Sequence, residues 1–357
     1  MVVLETFPET LPETSRGGSG TVTIRDVAAY SGVSVSTVSR VLNDHPDVSK
    51  DVRERVLNAV KDLHYVPNTS ARDLVKTAGD SIGVVVRGAE NPFFTPVISA
   101  IEQAVEDAGY TLSIRQIKAG EDELAAAARL SRAKKLKGLI LLGGRFDYTK
   151  EDVAPIDIPF VCCTFTNDFG TIESDAYSSV SIDDREEARR AVRYLTECGH
   201  RRIAILMDSA SDRSISELRY KGYLDALAEA GIEPDPDLLI ESVEFNMAGA
   251  YEKAGRFAAS GKQFSALFAI ADTFAIAAMK AFHDKGLRIP EDCSVLSIDG
   301  INMSLYTIPT LTALVQPKEE LGREAVKILT DVLAGGAHRH VRLQTALREG
   351  GTVKKIS

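Results

Sequence analysis

Hydrophobic residues between positions 23 and 63 recur at the spacing of three short amphipathic helices. The first is followed by Ser31-Gly32-Val33, where Gly32 is free to take a positive φ and turn the chain. Ser49 opens the third helix. The positions predicted to face a common interior are Val27, Ala28, Tyr30, Val38, Val41, Leu42, Val52, Val56, Val60 and Leu63. The pattern therefore predicts a small three-helix unit with a core of its own.

The polar positions of the first two helices predict how these helices begin and what they expose. Thr23 and Asp26 have the T-x-x-D spacing of a helix start, and Ser34 can cap the second helix. The outer face of the second helix is left with Val35, Ser36, Ser39 and Arg40. Such a face, behind a tight glycine turn, is typical of a helix-turn-helix that lays its second helix in the DNA major groove. An ordinary αα-hairpin with a solvated serine face has the same pattern, so both interpretations stay open at this point.

The segments on either side of these helices lack a core pattern. In Tyr65-Val66-Pro67-Asn68 the proline ends the third helix, and Asn68 can cap one more short turn. We therefore expect the three-helix unit to cover 21–67, and a short helix with its linker, here named the hinge segment, to cover 68–80. Residues 1–20 are rich in proline, glutamate, threonine and glycine, which predicts a disordered tail.

From Ser81 onward, short apolar runs alternate with amphipathic segments of helical spacing. The predicted strands cover 82–86, 111–114, 138–142, 160–163, 203–207, 238–241, 266–270 and 295–298. The predicted helices cover 96–108, 121–135, 184–198, 216–230, 247–260 and 273–285. This alternation predicts parallel sheets covered by helices. Because it repeats over about 82–180 and 181–310, we expect two similar α/β lobes that face each other across a cleft at the carboxyl ends of their strands.

Several longer motifs make the chain similar to a known family. They are T-I-x-D-V-A, G-V-S-x-S-T-V-S-R-V-L-N, Y-x-P-N, A-R-x-L, N-P-F-F (91–94), G-H-R-R-I-A (199–204), R-x-x-G-Y (219–223) and P-x-L-T-x-x-x-Q-P (309–317). On these residues the chain is identified as a member of the LacI/GalR (lactose-repressor/galactose-repressor) family of bacterial transcription regulators. The resemblance implies an all-α DNA-binding head and a two-lobed body with the periplasmic sugar-binding fold. We expect the first lobe over about 81–179 and 311–339, and the second over about 180–310 and 340–357.

The resemblance also implies a function for the head. We expect a repressor that binds pseudopalindromic double-stranded DNA as a homodimer. Base reading would fall to Val35, Ser36 and Arg40, and phosphate contacts to Ser34, Thr37 and Ser39, while Thr23 is a further residue expected to contact the DNA. In the hinge segment the expected contacts are Asn68, Ala71, Arg72 and Leu74, with Leu74 as the wedge that enters the minor groove.

A small-molecule effector, a sugar or sugar derivative, is expected between the lobes. The candidate residues follow predicted strands or lie in the loop before a helix: Phe93, Phe94, Asp183, Arg213, Arg219, Phe245, Asp272 and Asp299. Phenylalanines there can also be core residues, and each aspartate can also be a helix cap. Ala271 stands where relatives commonly have asparagine, which makes the expected pocket less polar.

Composition and charge restrict the class of protein further. The 357 residues are 44 % hydrophobic and carry a net charge of −9, whereas residues 21–79 carry +1. A nearly neutral head on an acidic body predicts modest affinity for random DNA. No apolar run is long enough for a membrane span and no signal peptide is recognisable, so we expect a cytoplasmic protein.

The remaining chemical motifs favour a binding protein without a metal or cofactor. No G-x-S-x-G, P-loop, H-E-x-x-H or G-x-G-x-x-G follows a predicted strand, which argues against an enzyme. A solute-binding transport protein would share the lobes but not the helix-turn-helix. Cys162, Cys163, Cys198 and Cys293 are predicted to be small core residues, and the His338/His340 pair is predicted to be solvated.

Overall fold

The computed structural model describes residues 22–42, 45–65, 81–118, 120–210, 213–242 and 245–356. The chain forms two compact units, Met1–Thr77 and Ala78–Ser357, and each is considered by itself. The predicted tail over 1–20 and the predicted hinge segment over 68–80 lie outside the described residues.

The described part of the amino-terminal unit, the head, contains three helices: α1 (Ile24–Ser31), α2 (Val35–Leu42) and α3 (Lys50–Asp62). Val27, Val38 and Val56 are completely buried where the three helices meet, which confirms the predicted three-helix core. Tyr30 was wrongly assigned to that core, since its side chain is 60 % exposed. Ser31 takes the inward position of the last turn of α1 instead, with its hydroxyl donating to the carbonyl of Val27 (2.6 Å).

The larger unit begins with a sheet whose six strands are all parallel. Its strands are β1 (Ser81–Arg87), β2 (Thr111–Ile117), β3 (Gly138–Leu142), β4 (Phe160–Cys163), β5 (Ser178–Ser181) and β11 (His340–Arg342), in the order β11-β5-β4-β3-β1-β2. The helices that belong to this first lobe are α4 (Phe94–Asp107), α5 (Glu123–Lys134), α6 (Lys150–Val153) and α11 (Lys318–Leu333). Helices cover both faces, which is why β1 and β3 are nearly unbroken apolar runs.

A second six-stranded sheet forms the second lobe. Its strands are β6 (Ile203–Met207), β7 (Leu239–Glu241), β8 (Ala266–Ala269), β9 (Ser294–Asp299), β10 (Thr312–Val315) and β12 (Ala346–Arg348), in the order β12-β10-β9-β8-β6-β7. Its helices are α7 (Asp184–Glu197), α8 (Ile215–Glu229), α9 (Met247–Ala258) and α10 (Asp272–Asp284), with 3₁₀ turns at Pro236–Leu238 and Asn302–Leu305. Only β12 runs antiparallel to its neighbour among the described strands of this sheet.

The two sheets have the same order over their first five strands, which confirms the prediction of two similar α/β lobes. In each lobe the first strand lies inside the sheet, the second strand is added on one side of it, and the third strand is added on the other side. The reversal lies between β1 and β3 in the first lobe and between β6 and β8 in the second. In open α/β sheets this reversal point is where ligands bind, beyond the carboxyl ends of the strands.

The chain passes between the lobes three times, and two of the three expected boundaries are wrong. The first crossing lies at 182–183, close to the expected position, because β5 ends at Ser181. The second lies at 316–317 rather than 311, since β10 pairs with β9 and so belongs to the second lobe. The third lies at 343–345 rather than 340, because β11 pairs with β5 in the first lobe. Both errors come from short strands that the hydrophobic pattern does not mark.

The four cysteines are buried free thiols, as predicted for small core residues. Burial raises the pKa of Cys162 well above its ordinary value, and the neighbouring Cys163 raises it further. These thiols therefore stay protonated and behave as packing groups.

Two helix glycines provide a test of how closely the second lobe is packed. A methyl group on Gly222 of α8 would overlap the carbonyl oxygen of Arg185 on α7, whereas one on Gly255 of α9 would have its nearest neighbour 3.8 Å away. We expect Gly222→Ala to lower the free energy of unfolding by about 1–3 kcal/mol through overpacking. Gly255→Ala, the matched control, should raise it by up to about 1 kcal/mol through helix propensity. Urea unfolding of the full chain measures both, and equal effects would mean that α7 and α8 are not in direct contact at Gly222.

Candidate nucleic-acid interface and effector cleft

The head presents the outer face of α2 as the sequence predicts. Val38 and Val41 are buried beneath the helix, while Val35 (41 % exposed), Ser36 and Arg40 face solvent. Ser39 and Thr37 are partly exposed on the flanks of the same face. The surface therefore offers an apolar contact, hydroxyl groups and a guanidinium on one short helix.

Side-chain hydrogen bonds fix the starts of α1 and α2, and a glycine turn joins the two helices. The Asp26 carboxylate accepts hydrogen bonds from the backbone N–H of Thr23 (2.8 Å) and from its hydroxyl (2.7 Å), and these bonds lower the pKa of Asp26. At the start of α2, the Ser34 hydroxyl accepts from the backbone N–H of Thr37 (3.2 Å) and lies 2.8 Å from the Ser36 hydroxyl. Gly32 adopts φ +65° between the helices, which is the conformation that the tight turn requires.

The predicted hinge contacts Asn68, Ala71, Arg72 and Leu74 lie outside the described residues. Their expected roles remain predictions from the sequence.

In the second lobe, a buried guanidinium organises the carboxyl edge of the sheet. Arg219 of α8 is 1 % exposed, and it donates through Nε (3.0 Å) and Nη2 (2.8 Å) to the carboxylate of Asp184 at the start of α7. It also donates to the carbonyl oxygen of Ile270, directly after β8, and lies 3.6 Å from the carboxylate of Asp299. Arg219 thus joins the start of α7 to the ends of two strands, β8 and β9.

Asp299 connects this guanidinium to the second crossing between the lobes. It is the last residue of β9 and has φ +129°, a strained conformation for a residue with a side chain. Its carboxylate accepts from the side-chain amide of Gln316 (2.9 Å). The ammonium of Lys318, on the first-lobe helix α11, donates to the carbonyl oxygens of Asp299 (3.0 Å), Gly300 (2.8 Å) and Gln316 (3.2 Å).

Burial shifts the pKa values of Asp299, Asp184 and Lys318 toward their neutral forms, and nearby opposite charges oppose that shift. Burial raises the pKa of Asp299 to about 7, although the Arg219 guanidinium acts in the opposite direction. Burial likewise raises the pKa of Asp184 to about 6, again opposed by Arg219. For Lys318 burial lowers the pKa, while the carboxylate of Asp299 favours its charged form. The cluster therefore binds protons near neutral pH, which an exposed set of the same residues would not do.

Two of the three strand-exit aspartates have local structural roles. Asp272 is completely buried, and its carboxylate accepts from the Ser297 hydroxyl (2.6 Å) and the Ile301 N–H (2.8 Å). Asp183 caps α7 by accepting from the N–H of Glu186 (3.1 Å), and it also accepts from Arg342. The cap interpretation thus holds for Asp183, while Asp272 fixes the loop after β9.

The aromatic candidates differ in how they are placed. Phe93 and Phe94 are both buried, with ring centroids 5.5 Å apart, in the first-lobe core that also includes Ile301 of the second lobe. Neither ring is therefore exposed to cover a ligand, because both are needed to fill this core. Phe245 remains 36 % exposed and packs against Phe274 at 4.8 Å.

The loop before α8 adds an exposed cation to this region. Arg213 is exposed and has φ +53°, with its N–H donating to Glu217 (2.9 Å). Ile215 and Leu218, in the first turns of α8, pack against the first-lobe core around Tyr148 and Phe165. The amino end of α8 therefore lies where the lobes face each other.

Sequence reasoning missed three members of the buried cluster, Asp184, Gln316 and Lys318. Asp184 is the second residue of an Asp-Asp pair, and the pattern offered no reason to prefer it over Asp183. Gln316 was noticed within a motif but given no role. Lys318 would have been placed in solvent by any pattern rule, since buried lysines are rare.

The histidine pair is solvated as predicted, since His340 is exposed and His338 is partly exposed, and ring nitrogens of both residues also have protein partners. The ring nitrogens Nδ1 of His338 and His340 lie 3.0 and 2.8 Å from the hydroxyls of Ser178 and Ser179. Within the described ranges, no three His, Cys, Asp or Glu side chains are arranged to hold a metal ion. Nor does any helix of the described chain combine the length and apolar composition that a bilayer crossing needs.

Comparison with known proteins relates both units to bacterial regulators. Residues 23–68 match the model of bacterial regulatory proteins of the lacI family, and residues 174–353 match the periplasmic binding protein-like domain. The chain is 38 % identical over 334 residues to the HTH-type transcriptional regulator MalR of Clostridium butyricum, covering 91 % of this chain and 97 % of that protein. The chain belongs to the lacI family of bacterial regulatory proteins.

Other members of the lacI family agree with the head and the lobes. The HTH-type transcriptional repressor PurR of Haemophilus influenzae is 32 % identical over 310 residues, which are 87 % of this chain and 90 % of that protein. The solved lac repressor dimer bound to operator and the anti-inducer ONPF has a TM-score of 0.70 and 25 % identity, covering 94 % of this chain and all of that one. The CelR–cellobiose complex has a TM-score of 0.68 and 26 % identity, over 93 % and 100 % of the two chains. This lacI-family chain is therefore a helix-turn-helix transcriptional regulator with a two-lobed body, and its named relatives regulate transcription rather than catalyse reactions.

The raised pKa of Asp299 predicts a pH dependence of stability. Between the ordinary value of 3.8 and about 7, the unfolded chain has lost this proton while the folded chain retains it. Stability should therefore fall as pH rises through this window and level off above it. Relative to Asp299→Asn, which cannot ionise, the wild type should lose on the order of 2–4 kcal/mol between pH 4.5 and 8. Urea unfolding midpoints across this range measure the difference, and parallel curves for the two proteins would contradict a raised pKa.

Proposed function

We propose that this lacI-family regulator represses transcription by binding a pseudopalindromic operator as a homodimer, and that a carbohydrate bound between the lobes controls its operator affinity. The observation that carries the DNA-binding half of the proposal is the outer face of α2. It combines Val35, Ser36 and Arg40 above a core that holds the helix rigid.

Each exposed group on α2 suits a particular part of the DNA. The Arg40 guanidinium can donate to both O6 and N7 of guanine, and the Val35 methyls can contact a thymine methyl. Ser34, Thr37 and Ser39, near the amino end of α2, suit phosphate oxygens, which set the position of the head without reading sequence. Thr23 lies exposed at the start of α1, so its side chain is a further candidate for contact with the DNA.

A dimer follows from the small size of this reading surface. One helix of eight residues reads only a few base pairs, so two heads related by a two-fold axis are needed for a specific site. The lac repressor structure described above is a dimer on its operator. Since the operator is chromosomal DNA, we place the protein in the cytoplasm.

A carbohydrate is the effector class that the cleft supports best. Arg213 offers a fork of donors to vicinal hydroxyls, and the exposed face of Phe245 can stack on a sugar ring. The buried cluster of Arg219 and Asp299 lies at the carboxyl ends of β8 and β9 in the same lobe. If the lobes close around a ligand, a change in the hydrogen bonds of this cluster can bring its side chains into contact with that ligand. The complex of the related CelR with cellobiose agrees with this class.

The lobes would act on the DNA through residues 68–80, which follow the head directly in sequence. Asn68, Ala71, Arg72 and Leu74 are proposed to form a short helix that enters the minor groove, with Leu74 as its wedge. A helix this short needs a partner to be stable, so small lobe movements can favour or oppose it. Coupling of about 1–3 kcal/mol would change operator affinity by roughly 5- to 150-fold.

The role of Arg40 can be tested with an operator selected from random duplexes by the wild-type protein. Arg40→Ala should weaken binding to that operator by about 1–3 kcal/mol and affect random DNA much less, because a base contact is lost. Fluorescence anisotropy at fixed salt measures both affinities. Arg55→Ala is the matched control, since it removes an equal charge from the exposed face of α3. Equal losses on operator and random DNA for Arg40→Ala would make Arg40 a phosphate contact.

The effector proposal predicts a ligand that stabilises the protein. Among mono- and disaccharides and their phosphates, at least one should raise the melting temperature and change operator affinity, since a ligand at 100 times its Kd adds about 2.7 kcal/mol of stability. Phe245→Ala and Arg213→Ala should each weaken that ligand at least about tenfold, the loss of one stacking or charged contact. Their operator affinity without the ligand should stay unchanged.

Two outcomes would contradict the effector proposal. A ligand of another class, such as a purine, that alone produces the shift would replace the carbohydrate. Sugar binding that both variants retain in full would remove Arg213 and Phe245 from the site.

A further inference from the structure

A second polar surface lies on the first lobe, beside the first and third crossings between the lobes. In the paired strands β5 and β11, His340 lies opposite Ser179 and Arg342 lies opposite Ser181. Because side chains alternate along a strand, these four polar groups share one face of the sheet. Val180 and Val341, on the opposite face, pack into the first-lobe core under α11. The polar face is therefore a consequence of the sheet register.

This face forms the floor of a cavity of about 230 Å³. The cavity walls come from the segment between β4 and β5, and its lining includes Asp168, Ser174, Tyr177, Ser181, His340 and Arg342. The Tyr177 ring is held between Phe160 (6.2 Å) and His340 (4.6 Å). Its hydroxyl lies 3.0 Å from that of Thr166 and accepts from the N–H of Asn167 (3.2 Å). The walls are thus fixed by contacts within the lobe.

Ser181 is the exception among these fixed groups. Its side chain is only 2 % exposed, and its hydroxyl has no hydrogen-bond partner among the described residues. Leaving a buried hydroxyl unpaired costs about 1–3 kcal/mol, so most buried hydroxyls are paired. By contrast, the neighbouring Ser179 hydroxyl lies 2.8 Å from Nδ1 of His340. A buried donor that faces a cavity is what a ligand hydroxyl would satisfy.

The charges in the cavity determine which ligands it can take. Arg342 donates to Asp183 and lies 3.7 Å from the carboxylate of Asp168. Burial raises the pKa of Asp168, while Arg342 lowers it. An anionic ligand would meet two carboxylates, and a cationic ligand would meet the guanidinium. A neutral ligand with several hydroxyls can donate to Asp168 and accept from Arg342 and Ser181 without an unpaired charge.

We propose that this cavity is a second ligand site, distinct from the cleft, for a small neutral polyol up to the size of a monosaccharide. Its volume of about 230 Å³ is below that of ordinary drug-sized sites and suits a ligand of this size. Ser181 and Arg342 are the last residues of β5 and β11, directly before the first and third crossings. A ligand held by both would contact the chain where it passes between the lobes.

The proposal can be tested with glycerol, D-ribose, D-glucose and myo-inositol as probes of the full chain. Saturation-transfer NMR titration should show saturable binding of at least one of them. Ser181→Ala should weaken that binding about 3- to 10-fold, as expected for one hydrogen bond. Ser181→Val, which also narrows the cavity, should weaken it more than tenfold. Ser181→Ala loses no protein hydrogen bond and removes a buried unpaired hydroxyl, so its melting temperature should be no lower than that of the wild type.

Phe245→Ala separates this site from the cleft, since Phe245 lies on the second lobe. Binding through the second site should be retained in Phe245→Ala and lost in Ser181→Val. The proposal is overturned if none of the four polyols binds, if both Ser181 variants bind as the wild type does, or if Phe245→Ala abolishes the binding. The last outcome would assign the polyol to the cleft and leave the effector proposal intact.

Discussion

The arrangement of the second lobe depends on how one arginine is kept charged inside the protein. Removing a guanidinium from water costs several kcal/mol, and this cost is offset only if its donors meet acceptors in good geometry. Arg219 meets that requirement with Asp184, the carbonyl of Ile270 and the nearby Asp299. Since these groups come from the start of α7, the end of β8 and the end of β9, the cluster fixes their relative positions. Moving any one of these groups away would leave the buried guanidinium short of an acceptor, so that its desolvation cost would no longer be offset.

The same cluster extends into the connection between the lobes. The strained backbone of Asp299 directs its carboxylate toward Gln316 and its carbonyl toward Lys318. Lys318 belongs to the first-lobe helix α11, so a chain of hydrogen bonds runs from the interior of the second lobe to the first. A ligand that draws Arg219 or Asp299 toward itself would therefore act on the second crossing directly. In the proposed function, these hydrogen bonds would be the physical route from a bound effector to the angle between the lobes.

The sequence predicted regular elements better than it predicted side-chain surroundings. Hydrophobic period identified α1 to α3 and eight of the strands, β1 to β4 and β6 to β9, because burial of both sheet faces leaves a strong apolar signal. It missed the short strands β5, β10, β11 and β12, of which β5 (Ser178-Ser179-Val180-Ser181) is mostly polar. The positions of Asp299 and Arg219 were predicted, but their burial was not. Burial of a charged group depends on partners that are distant in sequence, and no local pattern records them.

The three crossings have a mechanical consequence. The first and third crossings leave the first lobe at the ends of the neighbouring strands β5 and β11. The second crossing leaves the second lobe at the end of β10, and the third enters that lobe at the adjacent strand β12. Parallel tethers set side by side remove most rigid-body freedoms, because sliding or separating two bodies would stretch at least one tether. Rotation about the line of tethers stretches none of them. The movement that the three crossings permit most easily is therefore a hinge rotation that changes the angle between the two lobes.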